Sequence, residues 1–115
     1  MKKNKYNATK IKSEIFGNFD SKNEFNRFLY LKDLENKGII KDLKRQVPYI
    51  LIPAQKKNGK VLYRECSYIS DFEYTLQNGE HIVEDVKGLI LPVFKLKQKL
   101  MYWLYGIEIK VVKKW

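Results

Sequence analysis

The dipeptide Asn78-Gly79 separates two apolar runs, Cys66-Ser67-Tyr68-Ile69-Ser70-Asp71-Phe72-Glu73-Tyr74 and His81-Ile82-Val83-Glu84-Asp85-Val86-Lys87. Asn-Gly is a strong hairpin signal, because both residues tolerate the positive φ that a tight two-residue turn requires. The turn makes the two runs antiparallel neighbours. Each run carries an acid, Asp71 in the first and Asp85 fourteen residues later in the second. Alternate side chains of a strand share a side, so Asp85 and Lys87 point together while Glu84 and Val86 point away. An acid and an amine ending an apolar strand are costly for packing. They suit the task of holding a divalent cation and a water beside a phosphate. If the two runs pair, Asp71 and Asp85 can converge on one ion.

The flanking segments supply the remaining elements. Residues 1–18 are polar and basic and are expected to form a flexible arm, leaving 19–115 as a single domain. Ser21, followed three residues later by Glu24, is a capping-box pattern opening a helix. Phe25, Phe28, Leu29, Leu31 and Leu34 give that helix its apolar stripe, and Lys37-Gly38 ends it. Ile39 to Leu43 reads as a short connection. Gln46 to Pro53 reads as a strand whose prolines place it at an edge. A second Asn-Gly turn at Asn58-Gly59 leads to a strand near Val61 to Glu65. Pro92 sits at the start of a second helix and Gly106 at its end. The aromatic stripe of that helix, with Trp103, is expected in the core. Ile107 to Val112 alternates and reads as a last strand.

The 115 residues carry a net charge of +10, with eight Tyr, six Phe and two Trp. One core of moderate size is possible, and the aromatic content favours folding over disorder. The charge points to a polyanion partner, although lysine abundance also suits a plain soluble surface. The absence of a long apolar run excludes a membrane-spanning helix, and the basic N-terminus lacks a secretory core, so a cytoplasmic location is expected. Cys66 is the single cysteine and His81 the single histidine, which excludes an internal disulfide and leaves no cysteine or histidine cluster for zinc. His81 is expected as a solvated turn residue, and Cys66 as a small packed side chain.

The order helix, three or four strands, helix, strand, with these acids, resembles the PD-(D/E)xK nuclease superfamily. That superfamily includes restriction enzymes, archaeal Holliday junction resolvases and phage endonuclease I. More closely, the chain resembles a family of small phage and prophage proteins long catalogued as a domain of unknown function. The likeness covers roughly residues 4 to 112. It rests on Asn4-Lys5-Tyr6-Asn7, Phe19-Asp20-Ser21-Lys22-Asn23-Glu24, Gln46-Val47-Pro48, Tyr68-Ile69-Ser70-Asp71-Phe72, Val83-Glu84-Asp85-Val86-Lys87-Gly88 and Phe94-Lys95-Leu96-Lys97-Gln98-Lys99. It implies an α/β (α+β type) fold of order αβββαβ, with a central mixed sheet of four to five strands flanked by helices. By position, Asp71 matches the first acid of the signature, Asp85 the second and Lys87 its lysine. Glu24 matches the acid that resolvase-type members carry on the first helix. Ser70 stands where the signature has proline, and Glu84 rivals Asp85 as the second acid.

Phosphodiester hydrolysis needs an attacking hydroxide, charge neutralisation at phosphorus and help for the leaving oxygen, and a metal ion can provide all three. Magnesium takes one or two protein carboxylates and keeps several waters. The expected ligands are Asp71, Asp85 and the backbone carbonyl of Val86, with Glu24 reaching the same cleft and Mn2+ substituting for Mg2+. Lys87 is expected to orient the attacking water. Gln46, Lys95, Lys97 and Lys99 are candidate DNA contacts. On a helix the three lysines spread over about 200 degrees, and only Lys95 and Lys99 share a face. Each residue also has an ordinary role: Glu24 as the other half of a helix cap, Asp71 as an edge residue, Asp85 and Lys87 as a surface ion pair worth about 0–1 kcal/mol.

The resulting expectation is a magnesium-dependent endonuclease acting on branched DNA in phage recombination or replication. Symmetric cutting of a junction implies a homodimer. A non-catalytic nucleic-acid-binding module explains the charge as well, but not carboxylates placed where phosphates approach. A structural phage protein binding another protein is the third class.

Overall fold

The computed structural model of the chain describes residues 11–13, 17–19 and 21–113. Most of the arm expected over residues 1–18 lies outside these. Within it, β1 (Ile11–Ser13) and β2 (Gly17–Phe19) pair antiparallel.

Helix α1 (Lys22–Asn36) starts where the capping pattern places it, with the Ser21 side chain accepting the Glu24 N–H at 3.1 Å. It ends at Lys37, followed by Gly38 at φ +75, a backbone state that disfavours a Cβ. Of the expected stripe, Phe28 and Leu31 are buried, Phe25 and Leu34 pack partly against them, and Leu29 is exposed.

The fold is α+β, with a mixed four-stranded sheet between two helices. Its strands, in order across the sheet, are β3 (Ile40–Ile52), β6 (Cys66–Leu76), β7 (His81–Val86) and β8 (Lys110–Val112). Strand β6 pairs antiparallel with β3 and β7, whereas β8 runs parallel to β7. The parallel pairing follows from the connection, since α2 (Pro92–Tyr105) carries the chain back between β7 and β8. Strand β3 lies at an edge, as Pro48 and Pro53 suggested.

Three expectations need correction. Ile39 to Leu43 is not a connection: β3 begins at Ile40 and runs through it. The left-handed residues Asp42 and Gln46 (φ 57 and 55) disturb the alternation that would have revealed a strand. The strand expected near Val61 to Glu65 is β5 (Lys60–Tyr63), which pairs with β4 (Gln55–Lys57) across the Asn58-Gly59 turn in a hairpin separate from the main sheet. Trp103 is not in the core: it is 80% exposed, because α2 turns Phe94 and Met101 to the sheet instead.

The core has two parts, one on each face of the sheet. Phe28 and Leu31 of α1 meet Ile40, Phe72 and Tyr74, with Ile82 and Val86 packed beside them. Phe94 and Met101 of α2 meet Leu51, Tyr68, Val83 and Ile109. Ile82 and Val83 thus serve opposite layers, as strand alternation requires. On the α1 side a buried ion pair crosses the interface. Arg27 grips Glu84 through Nε (2.7 Å) and Nη2 (3.0 Å), and the Tyr74 hydroxyl donates to Glu84 at 2.6 Å.

Candidate active site

The β6–β7 ladder runs from Thr75↔His81 to Phe72↔Glu84, with Asn78-Gly79 at its closed end. One step further in this register, Asp71 stands opposite Asp85. There a side chain takes over from the backbone: Asp71 Oδ2 accepts the N–H of Val86 at 2.8 Å. The alternation of β6 is also broken here. Ser70 donates to Glu73 at 2.8 Å, although residues three apart in a regular strand face opposite ways. The buried Glu73 carboxylate also accepts from the Tyr49 hydroxyl and contacts His81 Nε2 at 2.8 Å. Local distortion of β6 thus aims Asp71 at the end of β7 while Tyr68 remains in the α2-side core.

Asp71, Asp85 and Lys87 open onto one cleft of about 490 Å³, whose other walls include Gln46, Tyr68, Phe94 and Lys97. Asp85 is buried on the floor, and its Oδ2 accepts from the Tyr68 hydroxyl at 2.6 Å. Its Oδ1 is buried and lies 3.2 Å from the Lys87 ammonium, close enough for charge attraction, yet accepts no aligned hydrogen bond. Lys87 is held by a second contact, with Nζ 4.7 Å above the Phe94 ring. Burial pushes the Asp71 carboxyl up to about 8, and the nearby charges of Asp85 and Glu24 push the same way. The Val86 N–H and Lys87 oppose this and do not cancel it.

Crowded carboxylates and a buried oxygen without a hydrogen bond are a site short of positive charge. A divalent cation fits this donor set. Among the described residues no three His, Cys, Asp or Glu side chains group around one point. An ion here would be held by Asp71 and Asp85 and complete its shell with waters and backbone oxygen, which suits magnesium better than zinc.

The remaining candidates divide. Glu24 does not line the cleft. Its Oε1 accepts from Gln46 Nε2 at 3.3 Å and lies 3.8 Å from Arg45 Nη2, so its carboxylate reaches Asp71 through its field. Gln46 lines the cleft and links it to Glu24. Val86, expected to offer its carbonyl, contributes the N–H that Asp71 uses. Lys97 faces the cleft, whereas Lys95 and Lys99 border a separate groove with Gln98, Tyr102 and Trp103. Glu84 is excluded as the second acid, since Arg27 and Tyr74 hold it on the opposite face.

Tyr68 is the participant that residue-by-residue reading passed over. Burial and the Asp85 charge push its hydroxyl pKa upward, so it stays protonated and a donor. A tyrosine three residues before an acid in a strand carries no signal until that strand is known to be irregular.

No curated protein and no solved structure matches the chain. Residues 3–114 match the family described as "Protein of unknown function (DUF1064)", and the chain belongs to that family.

Proposed function

We propose that the chain is a magnesium-dependent endodeoxyribonuclease of PD-(D/E)xK type acting on branched DNA. The observation that carries this reading is the cleft where Asp71, Asp85 and Lys87 meet, with the buried Asp85 Oδ1 accepting no hydrogen bond. The order α1, β3, β6, β7, α2, β8 of the main sheet and its helices supports it, as does the +10 charge.

Bound between Asp71 and Asp85, magnesium would supply Lewis-acid charge at a phosphate and lower the pKa of a water. The chain's own residues do the rest. Tyr68 fixes the rotamer of Asp85 by its short hydrogen bond. The Val86 N–H holds Asp71 toward the cleft. Lys87, partly exposed and seated on Phe94, presents its ammonium where a phosphate oxygen or the attacking water would lie. Lys97 adds a cation on the cleft wall for a neighbouring phosphate.

A nucleic-acid-binding module without catalysis is favoured by one observation, the lack of a third acid, His or Cys in the group among the described residues. The experiment that separates the two is incubation of a synthetic four-way junction, a duplex and a single strand with the chain, with and without magnesium. Cleavage confined to magnesium supports the nuclease. Binding without cleavage in magnesium or manganese supports the module.

A further inference from the structure

Helix α2 presents an outward face that the cleft does not use. Lys95, Lys99 and Trp103 follow one another at intervals of four residues, so they form one line about 12 Å long on a helix. Gln98 and Tyr102 form the adjacent line, and the five side chains border one open groove. Trp103 is 80% exposed and Tyr102 64%. Such large rings are normally turned inward, and here two consecutive ones face out.

The charge around these rings selects among occupants. Helix α2 contains three lysines and no acid. A second copy docking through this face would set the lysines of the two helices against each other, and an apolar protein surface would leave their ammonium groups without partners. An unpaired nucleic-acid strand answers both features. Its phosphates neutralise Lys95 and Lys99, and its bases offer flat faces to indole and phenol. A duplex keeps its bases stacked inside and leaves the rings idle.

We infer that the groove of Lys95, Lys99, Tyr102 and Trp103 binds a single-stranded nucleic-acid segment, with bases stacked on Trp103 and Tyr102. The inference goes beyond the nuclease reading and does not depend on it, since this groove and the carboxylate cleft share no residue. Lys97 faces the cleft from the same helix, so α2 can carry an unpaired strand on one side and the duplex near the scissile bond on the other. A nuclease so built favours DNA with unpaired nucleotides beside the cut, such as a flap or an open branch point.

The test uses the full chain with Trp115→Phe, leaving Trp103 as the single indole, in EDTA so that cleavage plays no part. Titration with an oligothymidylate is expected to quench Trp103 emission saturably, whereas an abasic strand of equal length binds more weakly and leaves the emission unchanged. Trp103→Ala should weaken binding about 5- to 150-fold, the loss of one base stack, and Trp103→Phe should recover part of it. Lys95→Glu with Lys99→Glu should flatten the log–log salt dependence by about 0.7 per lost phosphate contact. Equal affinity of Trp103→Ala and the parent, or quenching by the abasic strand, overturns the inference. So does sedimentation showing a dimer that Trp103→Ala dissociates, which assigns the face to a second copy. Failure of these outcomes leaves the magnesium-cleavage test untouched, and the converse also holds.

Discussion

Asp71 accepts the Val86 amide hydrogen at 2.8 Å, placing a carboxylate where the backbone ladder between β6 and β7 would otherwise continue. The hydrogen bond opens the sheet at one point and fixes a second acid beside Asp85. A hydroxyl or an amide in that place would complete the ladder as well. A carboxylate brings charge into a partly buried site, and that charge has a measurable cost.

The cost shows as a pH dependence of stability. The folded-state pKa of Asp71 is raised to about 8, above its unfolded value of about 3.9. At Asp71 the folded chain therefore binds more protons than the unfolded one between these limits. The contribution of Asp71 to stability is full below about pH 4 and is lost as pH rises through about 8. Asp71→Asn keeps the acceptor for Val86 and removes the charge. In EDTA it should match wild type near pH 4 and exceed it at pH 9 by on the order of 1–3 kcal/mol, after screening by the open cleft. Magnesium should narrow the gap by stabilising wild type. Thermal unfolding across pH measures this, and a gap of constant size would contradict the account.

Glu84 lies next to Asp85 in sequence and on the opposite face in space, fully buried against Arg27. Glu84→Gln removes the negative charge from the buried Arg27–Glu84 pair, and breaking such a pair on one side typically costs about 3–5 kcal/mol. The variant should unfold at a much lower denaturant concentration than wild type, whatever the metal content. For this reason it is a poor control for the register of the two acids, despite facing away from the cleft. Glu80 in the exposed hairpin serves better. Wild-type stability for Glu84→Gln would mean that the ion pair contributes little.

Tyr68 donates to Asp85 Oδ2 at 2.6 Å, and Phe at this position keeps the ring in the core. Losing a hydrogen bond that orients a metal ligand typically lowers metal affinity or activity about 10- to 100-fold. Tyr68→Phe should therefore need more magnesium for half-maximal cleavage, and in EDTA it should unfold at a lower temperature, because the buried Asp85 Oδ2 loses its donor at a cost of about 1–3 kcal/mol. An unchanged magnesium requirement would make Tyr68 a packing residue alone.

Lys87→Ala removes an ammonium that is not a ligand. Cleavage should fall by orders of magnitude while magnesium binding, followed by calorimetry, persists. Loss of binding together with cleavage would show that Lys87 holds the site open and not the water or phosphate.

Local chemistry made much of this fold legible. Asn58-Gly59, Asn78-Gly79, Ser21, Pro92 and Gly106 each specify a turn or a helix end within a few residues, and each stands where expected. The strand period placed Asp85 and Glu84 on opposite faces. What was not legible depends on partners distant in sequence. Strand β3 starts at Ile40 because β6 pairs with it, against the left-handed Asp42 and Gln46. Helix α2 is apolar nearly all round, so its period could not say that Phe94 and Met101 face the sheet and Trp103 faces water. The Arg27–Glu84 pair joins residues 57 positions apart. Tyr68 reaches Asp85 through an irregularity in β6 that no residue type announces.

In the proposed reaction Asp71 and Asp85 hold the cation that makes this cleft cut DNA. Asp85→Asn preserves the acceptor for Tyr68 and removes the charge. The most direct measurement is the rate of four-way-junction cleavage in magnesium for wild type and Asp85→Asn, with DNA binding followed in the same samples. Wild type is expected to cut only with the metal, and the variant to lose cutting by orders of magnitude while binding DNA as tightly or more tightly. A variant that cuts at the wild-type rate, or a wild type that cuts no DNA in magnesium or manganese, would contradict the proposed reaction.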